Sequence, residues 1–124
     1  MLPTILIIEK DEATLELYCR ELNRDFDVLV CSRKNEVLQT IKDRNVNAIV
    51  LEPAAWNGQG WDLLHSIFAL PTDVHSFSII LCSVLDERKR GLDMGAAAFL
   101  VKPVLPSQLL ETLHQVLGKT EGTK

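Results

Sequence analysis

Five short apolar runs, each separated from the next by a stretch with helical spacing, constrain this 124-residue chain more than any other feature. The runs are Ile5–Ile8, Val28–Val30, Ala48–Leu51, Ile79–Cys82 and Ala98–Val101. Four of them are continuous rather than alternating, as befits strands buried on both faces of a parallel sheet. Val28–Val30, bounded by Asp27 and Ser32, is the shortest and suits an edge.

Between the runs the apolar period changes to that of a helix. Leu15, Tyr18 and Leu22 share one face, with Glu12, Glu16 and Arg20 between them. Val37, Leu38 and Ile41 repeat the pattern after Ser32, the expected N-cap. A third helix is expected to begin near Gly60, to carry Trp61, Leu64 and Phe68 on its apolar face, and to end before Pro71. The fourth, Asp86 to Met94, is short and charged, and Gly91 within it costs about 1 kcal/mol relative to Ala. Gly95 closes it. A last helix opens at Pro106, presents Leu109, Leu110, Leu113, Val116 and Leu117, and is expected to stop at Gly118.

Strands and helices in alternation require right-handed crossovers and a parallel sheet covered on both sides. The expected fold class is α/β, a doubly wound (βα)5 sandwich of strand order 2-1-3-4-5, with ligand chemistry at the C-terminal ends of strands one and three. One domain is expected over residues 1–118, with 119–124 as a polar tail or linker.

Composition removes several function classes. A formal net charge of −4 is the wrong balance for a phosphate-backbone binder, so no direct nucleic-acid contact is expected. No apolar stretch approaches the roughly 20 residues of a membrane span, and no secretory leader is visible, so a cytoplasmic location is expected. Cys19, Cys31 and Cys82 have no CxxC spacing and read as reduced apolar residues. His65, His75 and His114 form no ligand pair and read as surface or helix-flank residues. Gly118-Lys119-Thr120 imitates the end of a phosphate loop, but Leu113 stands where its first glycine belongs.

The residues just past the strands are the informative ones. Strand one delivers Glu9-Lys10-Asp11, strand three Glu52, strand four Ser83 and strand five Lys102-Pro103. Carboxylates, a hydroxyl and a lysine converging at a switch point is the layout of a phosphoryl-handling pocket. In these residues the chain resembles the receiver domain of two-component response regulators, from about Thr4 to Gly118. Glu9-Lys10 stands at the family's acidic pair and Glu52 at its phosphoacceptor aspartate, with Gly60 eight residues on. Ser83 stands at its Ser/Thr, and Lys102-Pro103 follows Gly95-Ala96 by seven residues. The resemblance implies a cis peptide before Pro103 and a switch aromatic at Phe99, which reads equally as an aromatic packed at the edge of the fourth helix and fifth strand; the charged run Asp86–Arg90 reads most simply as a solvated helix face, which in the family also touches partners.

Three departures bear on function. The acceptor position holds Glu52, the second acid of the pair is Lys10, and Trp56 replaces the proline usual four residues after the acceptor. The segment from Ser83 to Gly95 is also short for the family. Glu9, Lys10, Glu52 and Lys102 sum to zero formal charge, where three acids and a lysine would give about −2, so Mg²⁺ binding is expected to be weak or absent. Glu52 is also one methylene longer than aspartate, and a misplacement of about 1 Å can cost roughly a hundredfold in rate.

Two arrangements follow. Either Glu52 pairs with Lys102 while Lys10 takes the metal position and satisfies Glu9, mimicking an active state, or the charges merely cancel and leave an unswitched scaffold, which is favoured. Asp11 could swing in as a metal ligand. Trp56 is expected to pack locally beside the pocket rather than form a partner contact. The expected function is a protein–protein signalling module without enzymatic activity. Its expected partners are a histidine kinase, an output domain or another signalling protein, with a homodimer as a further possibility. The start at Met1 and the polar end favour an N-terminal module of a larger protein. The alternatives are a phosphorylatable receiver using a non-standard site and a flavodoxin-like ligand-binding domain. The latter would need a phosphate loop where Glu9-Lys10-Asp11-Glu12 stands.

Overall fold

Alternate residues of each central strand enter different apolar layers, which is why the runs look continuous in sequence. In the computed structural model, which describes residues 2–71 and 77–121, strands and helices alternate as β1 (Thr4–Ile8), α1 (Glu12–Leu22), β2 (Asp27–Cys31), α2 (Lys34–Asp43), β3 (Ala48–Leu51), α3 (Gln59–Phe68), β4 (Ser78–Ser83), α4 (Arg88–Met94), β5 (Ala98–Val101) and α5 (Pro106–Glu121). All pairings are parallel and the order is β2-β1-β3-β4-β5, so β2 is an edge strand as expected. Ile5 and Ile7 of β1, Val50 of β3 and Ile80 of β4 pack with Tyr18, Leu22, Leu109 and Leu113 of α1 and α5. Leu6, Ile8, Ile49, Leu51 and Leu81 face the other way, onto Val37, Ile41, Leu64 and Ile67. A one-residue slip in any central strand would exchange the two sets.

Four helix details differ from the sequence expectation. Arg33, not Ser32, is the N-cap of α2, and its side chain makes no capping bond; serine lies one position too early to reach the first free amides. Phe68 is 38% exposed because the buried face of α3 runs through Trp61, Leu63, Leu64 and Ile67. Helix α4 starts at Arg88 rather than Asp86, since Glu87 has non-helical angles. Gly118 does not end α5, which continues to Glu121; a glycine costs a helix about 1 kcal/mol without breaking its hydrogen-bond ladder. His65 and His114 are exposed, as expected, whereas His75 and residues 122–124 lie outside the described residues.

The loop from β3 to α3 is shaped by two glycines with different duties. Trp56, Asn57 and Gly58 all have positive φ, at 52°, 58° and 86°. At Gly58 a side chain would meet nothing within 4 Å, so only the backbone angle matters there. Gly60 sits against the loop itself: a Cβ would lie 2.5 Å from the Pro53 carbonyl oxygen and 2.6 Å from that of Glu52. Gly60→Ala is expected to destabilise the domain by about 1–3 kcal/mol through forced backbone movement, and Gly58→Ala by about 1–2 kcal/mol of local strain. Urea unfolding of both variants checks the order; an equal or smaller loss for Gly60→Ala would remove the close-approach argument.

Candidate functional site

The strand ends bring an ion cluster together at one point of the sheet edge. The register of β4 against β5 sets Ser83 beside Val101, and the next amide, that of Lys102, donates to the Ser83 carbonyl at 2.7 Å. From there the Lys102 ammonium reaches across β4 and β3 to β1. Its Nζ lies 2.9 Å from Glu52 Oε1 and 3.1 Å from Glu9 Oε1. All three side chains are withdrawn from water, at 17% exposure for Lys102, 16% for Glu52 and 6% for Glu9. Burial acts against the Lys102 ammonium, but its hydrogen bonds to Glu52 and Glu9 outweigh that and hold its pKa above the ordinary lysine value.

Lys10 is not part of this cluster. It is exposed and makes no ion pair among the described residues, so the ammonium paired with Glu9 is that of Lys102, and the arrangement with Lys10 in the metal position is corrected. Successive residues of an extended segment leave on opposite sides, so with Glu9 inward the next side chain goes out. Asp11 does not turn inward either. It caps α1, accepting from the backbone amide and hydroxyl of Thr14, and these bonds hold its carboxyl below the usual range. The Asp11 amide in turn donates to Glu9 Oε2 at 3.1 Å, which fixes the outer oxygen of Glu9.

The donor set for a divalent cation is therefore two carboxylates, both already held by one ammonium. Among the described residues no group of three acidic, histidine or cysteine side chains could hold a metal. Mg²⁺ takes a near-ideal octahedron and needs carboxylates free to face it. The residues at this site do not fit that ion.

The remaining sequence candidates surround the cluster. Ser83 is fully buried and its Oγ accepts from the Leu85 amide at 3.3 Å, which shapes the start of the following loop. The peptide between Lys102 and Pro103 is cis, as the resemblance implied. Trp56 is half-buried against the α2–α3 layer, the local packing expected of it. Phe99 is buried in the same layer. Its partner is Gly91: a Cβ there would stand 2.9 Å from Phe99 Cδ2 and 2.7 Å from Leu81 Cδ1. The glycine that weakens α4 as a helix is what lets it close over the phenyl ring. The charged run mostly faces water, though Arg90 lies 3.9 Å from the centre of the Trp61 ring and pins α4 to α3.

Sequence reasoning did not find Tyr18 as a site neighbour, because its heptad position reads as core. Its hydroxyl donates to the Val104 carbonyl at 3.2 Å, tying α1 to the segment after β5, and burial pushes its pKa up to about 12. Cys82 lies beneath the cluster, and burial likewise raises its thiol to about 12. An acidic or reactive thiol is thus absent from that position.

Comparison with known proteins bears on this geometry. The family model described as the response regulator receiver domain matches residues 5–114. The transcriptional regulatory protein PrrA of Mycobacterium bovis is 26% identical over 122 residues, covering 98% of this chain and 52% of that protein. The response regulator MprA of a Mycobacterium species is also 26% identical, over 117 residues. The chain thus spans about half the length of the curated relatives it matches. Among solved structures, the non-phosphorylated receiver domain of HemR from Leptospira biflexa is 27% identical with a TM-score of 0.80, covering 93% of this chain and 94% of that one. A CheY-like receiver domain protein from Methanospirillum hungatei shares the fold at a TM-score of 0.85, over 100% of both chains and with 24% identity. The (βα)5 sheet, the strand-end cluster and the family match over residues 5–114 together show that this chain belongs to the response regulator receiver domain family of two-component systems.

Proposed function

We propose that this receiver domain is not phosphorylated by the aspartate and Mg²⁺ route of its family and serves as a protein–protein signalling module. The single observation that carries the reading is Lys102 bonded to both Glu9 and Glu52, with Lys10 standing in water where a second acid would belong. One ammonium between two carboxylates leaves one uncompensated negative charge, about half of what three acids and a lysine would leave. Mg²⁺ binding is accordingly weak or absent, and the developing charge of phosphoryl transfer has no stabiliser beyond Lys102. Of the two arrangements, the scaffold is the better supported, because both carboxylates turn toward the same ammonium and neither stands in for a phosphoryl group. In this reading the module includes the whole of α5, and only residues past Glu121 are left for a tail or linker. The protein is cytoplasmic, and its partner is a kinase, an output domain or another signalling protein.

Incubating the chain with a small phosphodonor and Mg²⁺, followed by intact mass, is expected to show no phosphoryl adduct. A stable adduct mapped to Glu52 would overturn the proposal.

The cluster also has a signature in stability. Lys102→Met leaves two buried carboxylates facing each other and is expected to destabilise the domain by about 3–5 kcal/mol at neutral pH. On the alkaline side the sign follows from the raised Lys102 pKa. Its contribution is fully present below the unfolded lysine value, roughly 10.4, and declines only as pH climbs beyond that. Urea midpoints of wild type and variant from neutral to strongly alkaline pH check this; a difference that stays the same across that range would argue against the cluster.

A further inference from the structure

The sheet is open along β2. Its ladder to β1 runs without a bulge from Asp27 beside Thr4 to Cys31 beside Ile8, and the Asp27 amide donates to the Pro3 carbonyl at 2.9 Å. Backbone groups alternate in direction along a strand, so Asp27, Leu29 and Cys31 bond to β1 while the amides and carbonyls of Val28 and Val30 point away from the sheet. A free edge invites pairing with another chain, and proteins blunt it with charges, proline or a bulge. Apart from Asp27 at its start, β2 carries none of these. Val30 is 52% exposed.

Two charges flank this edge without an adequate partner. Asp27 is exposed, and its carboxylate has no hydrogen bond or ion pair among the described residues. Arg33 stands two residues past the strand and is still extended, at φ −113° and ψ 124°. It is the N-cap of α2, a position that favours a side-chain acceptor and disfavours a cation. Its ion pair with Glu36, at 3.8 Å, is largely in water and stabilises little. An antiparallel second copy supplies what both lack. A twofold axis at Val30 sets Val30 beside its own copy, Val28 beside Ser32, and Asp27 beside Arg33. The outward groups of Val28 and Val30 then fall in hydrogen-bonded pairs, and unlike charges meet on both sides of the axis. An axis at Leu29 would set Asp27 beside Cys31, and Arg33 beside Asp25, which His114 already holds at 2.7 Å. An axis at Val28 would set Asp27 beside Leu29.

We propose that two copies of this chain pair antiparallel along β2, joining their five-stranded sheets into one, with Asp27 and Arg33 fixing the register. The pair is isologous, so the same edge serves both copies and is used up in forming it. One strand pair is a small contact, which makes the association weak and reversible. The ion cluster at the strand ends takes no part in it.

Sedimentation velocity of the whole chain, up to about 1 mM, is expected to show a monomer–dimer equilibrium that weakens with added salt. The amides of Val28 and Val30 should gain protection from hydrogen exchange as the dimer forms. Asp27→Arg and Arg33→Asp each set like charges across the axis, and each alone should weaken association about tenfold. An equimolar mixture of the two variants should recover it, because the mixed pair again sets unlike charges opposite each other. Both positions are exposed, and aspartate is a preferred N-cap, so neither substitution should lower the melting temperature of the dilute monomer. Val30→Lys, which brings two ammonium groups together at the axis, should abolish the dimer. A chain that stays monomeric to about 1 mM would overturn the proposal. So would protection confined to another face of the domain, or a mixture that associates no better than its two components.

Discussion

One ammonium organises the C-terminal edge of this sheet. Lys102 follows β5, takes its backbone bond from the end of β4, and places its side chain between the carboxylates that end β1 and β3. Four of the five strands therefore converge on a single residue. Breaking a buried pair is far more damaging than forming it is favourable, because the survivor is left charged and unpaired. The geometry around Lys102 is thus maintained from several sides: the Asp11 amide fixes the outer oxygen of Glu9, and Thr14 keeps Asp11 turned outward. Gly60 is also implicated, since a side chain there would collide with the carbonyls of Glu52 and Pro53 that open the loop.

The same convergence in the receiver family is chemistry for handling a phosphoryl group, and two of the differences here, Lys10 and Glu52, fall at positions of that chemistry. The scaffold is intact, including the cis peptide before Pro103 and the serine after β4. What changes is charge and reach: a lysine in the acidic pair and a longer acid at the acceptor position. Behind the site, Phe99 is seated under Gly91, while Arg90 holds the short α4 against Trp61. These contacts join the loops around the cluster to one outer face of the domain.

The fold was legible because its strands are buried on both sides. Ile5–Ile8 and Ala48–Leu51 have no polar interruption, and their helices carry one apolar stripe each, so period and order specified the sheet. Part of the site was legible too, since the strand ends that carry Glu9, Glu52 and Lys102 must meet in a parallel sheet, whereas Lys10 and Asp11 were expected in the pocket and turn away from it. Which lysine pairs with which acid was not. Lys10 and Lys102 are equivalent on a charge count, and only the side on which each leaves its strand separates them. Tyr18 was hidden for a related reason: a buried tyrosine and a core leucine give the same helical period, and the hydroxyl's use by Val104 is a tertiary fact. Phe68 shows the converse, an apolar residue in period with the core yet carried to the rim by the turn of α3.

The central claim is that the carboxylates of this site are committed to Lys102 and offer no seat to a divalent cation. Titrating Mg²⁺ into the purified chain while following tryptophan emission tests it most directly, because Trp56 and Trp61 lie in the loop and first helical turn after Glu52. The account predicts no saturable change through the millimolar range. A saturable response that disappears in Glu52→Gln would contradict it.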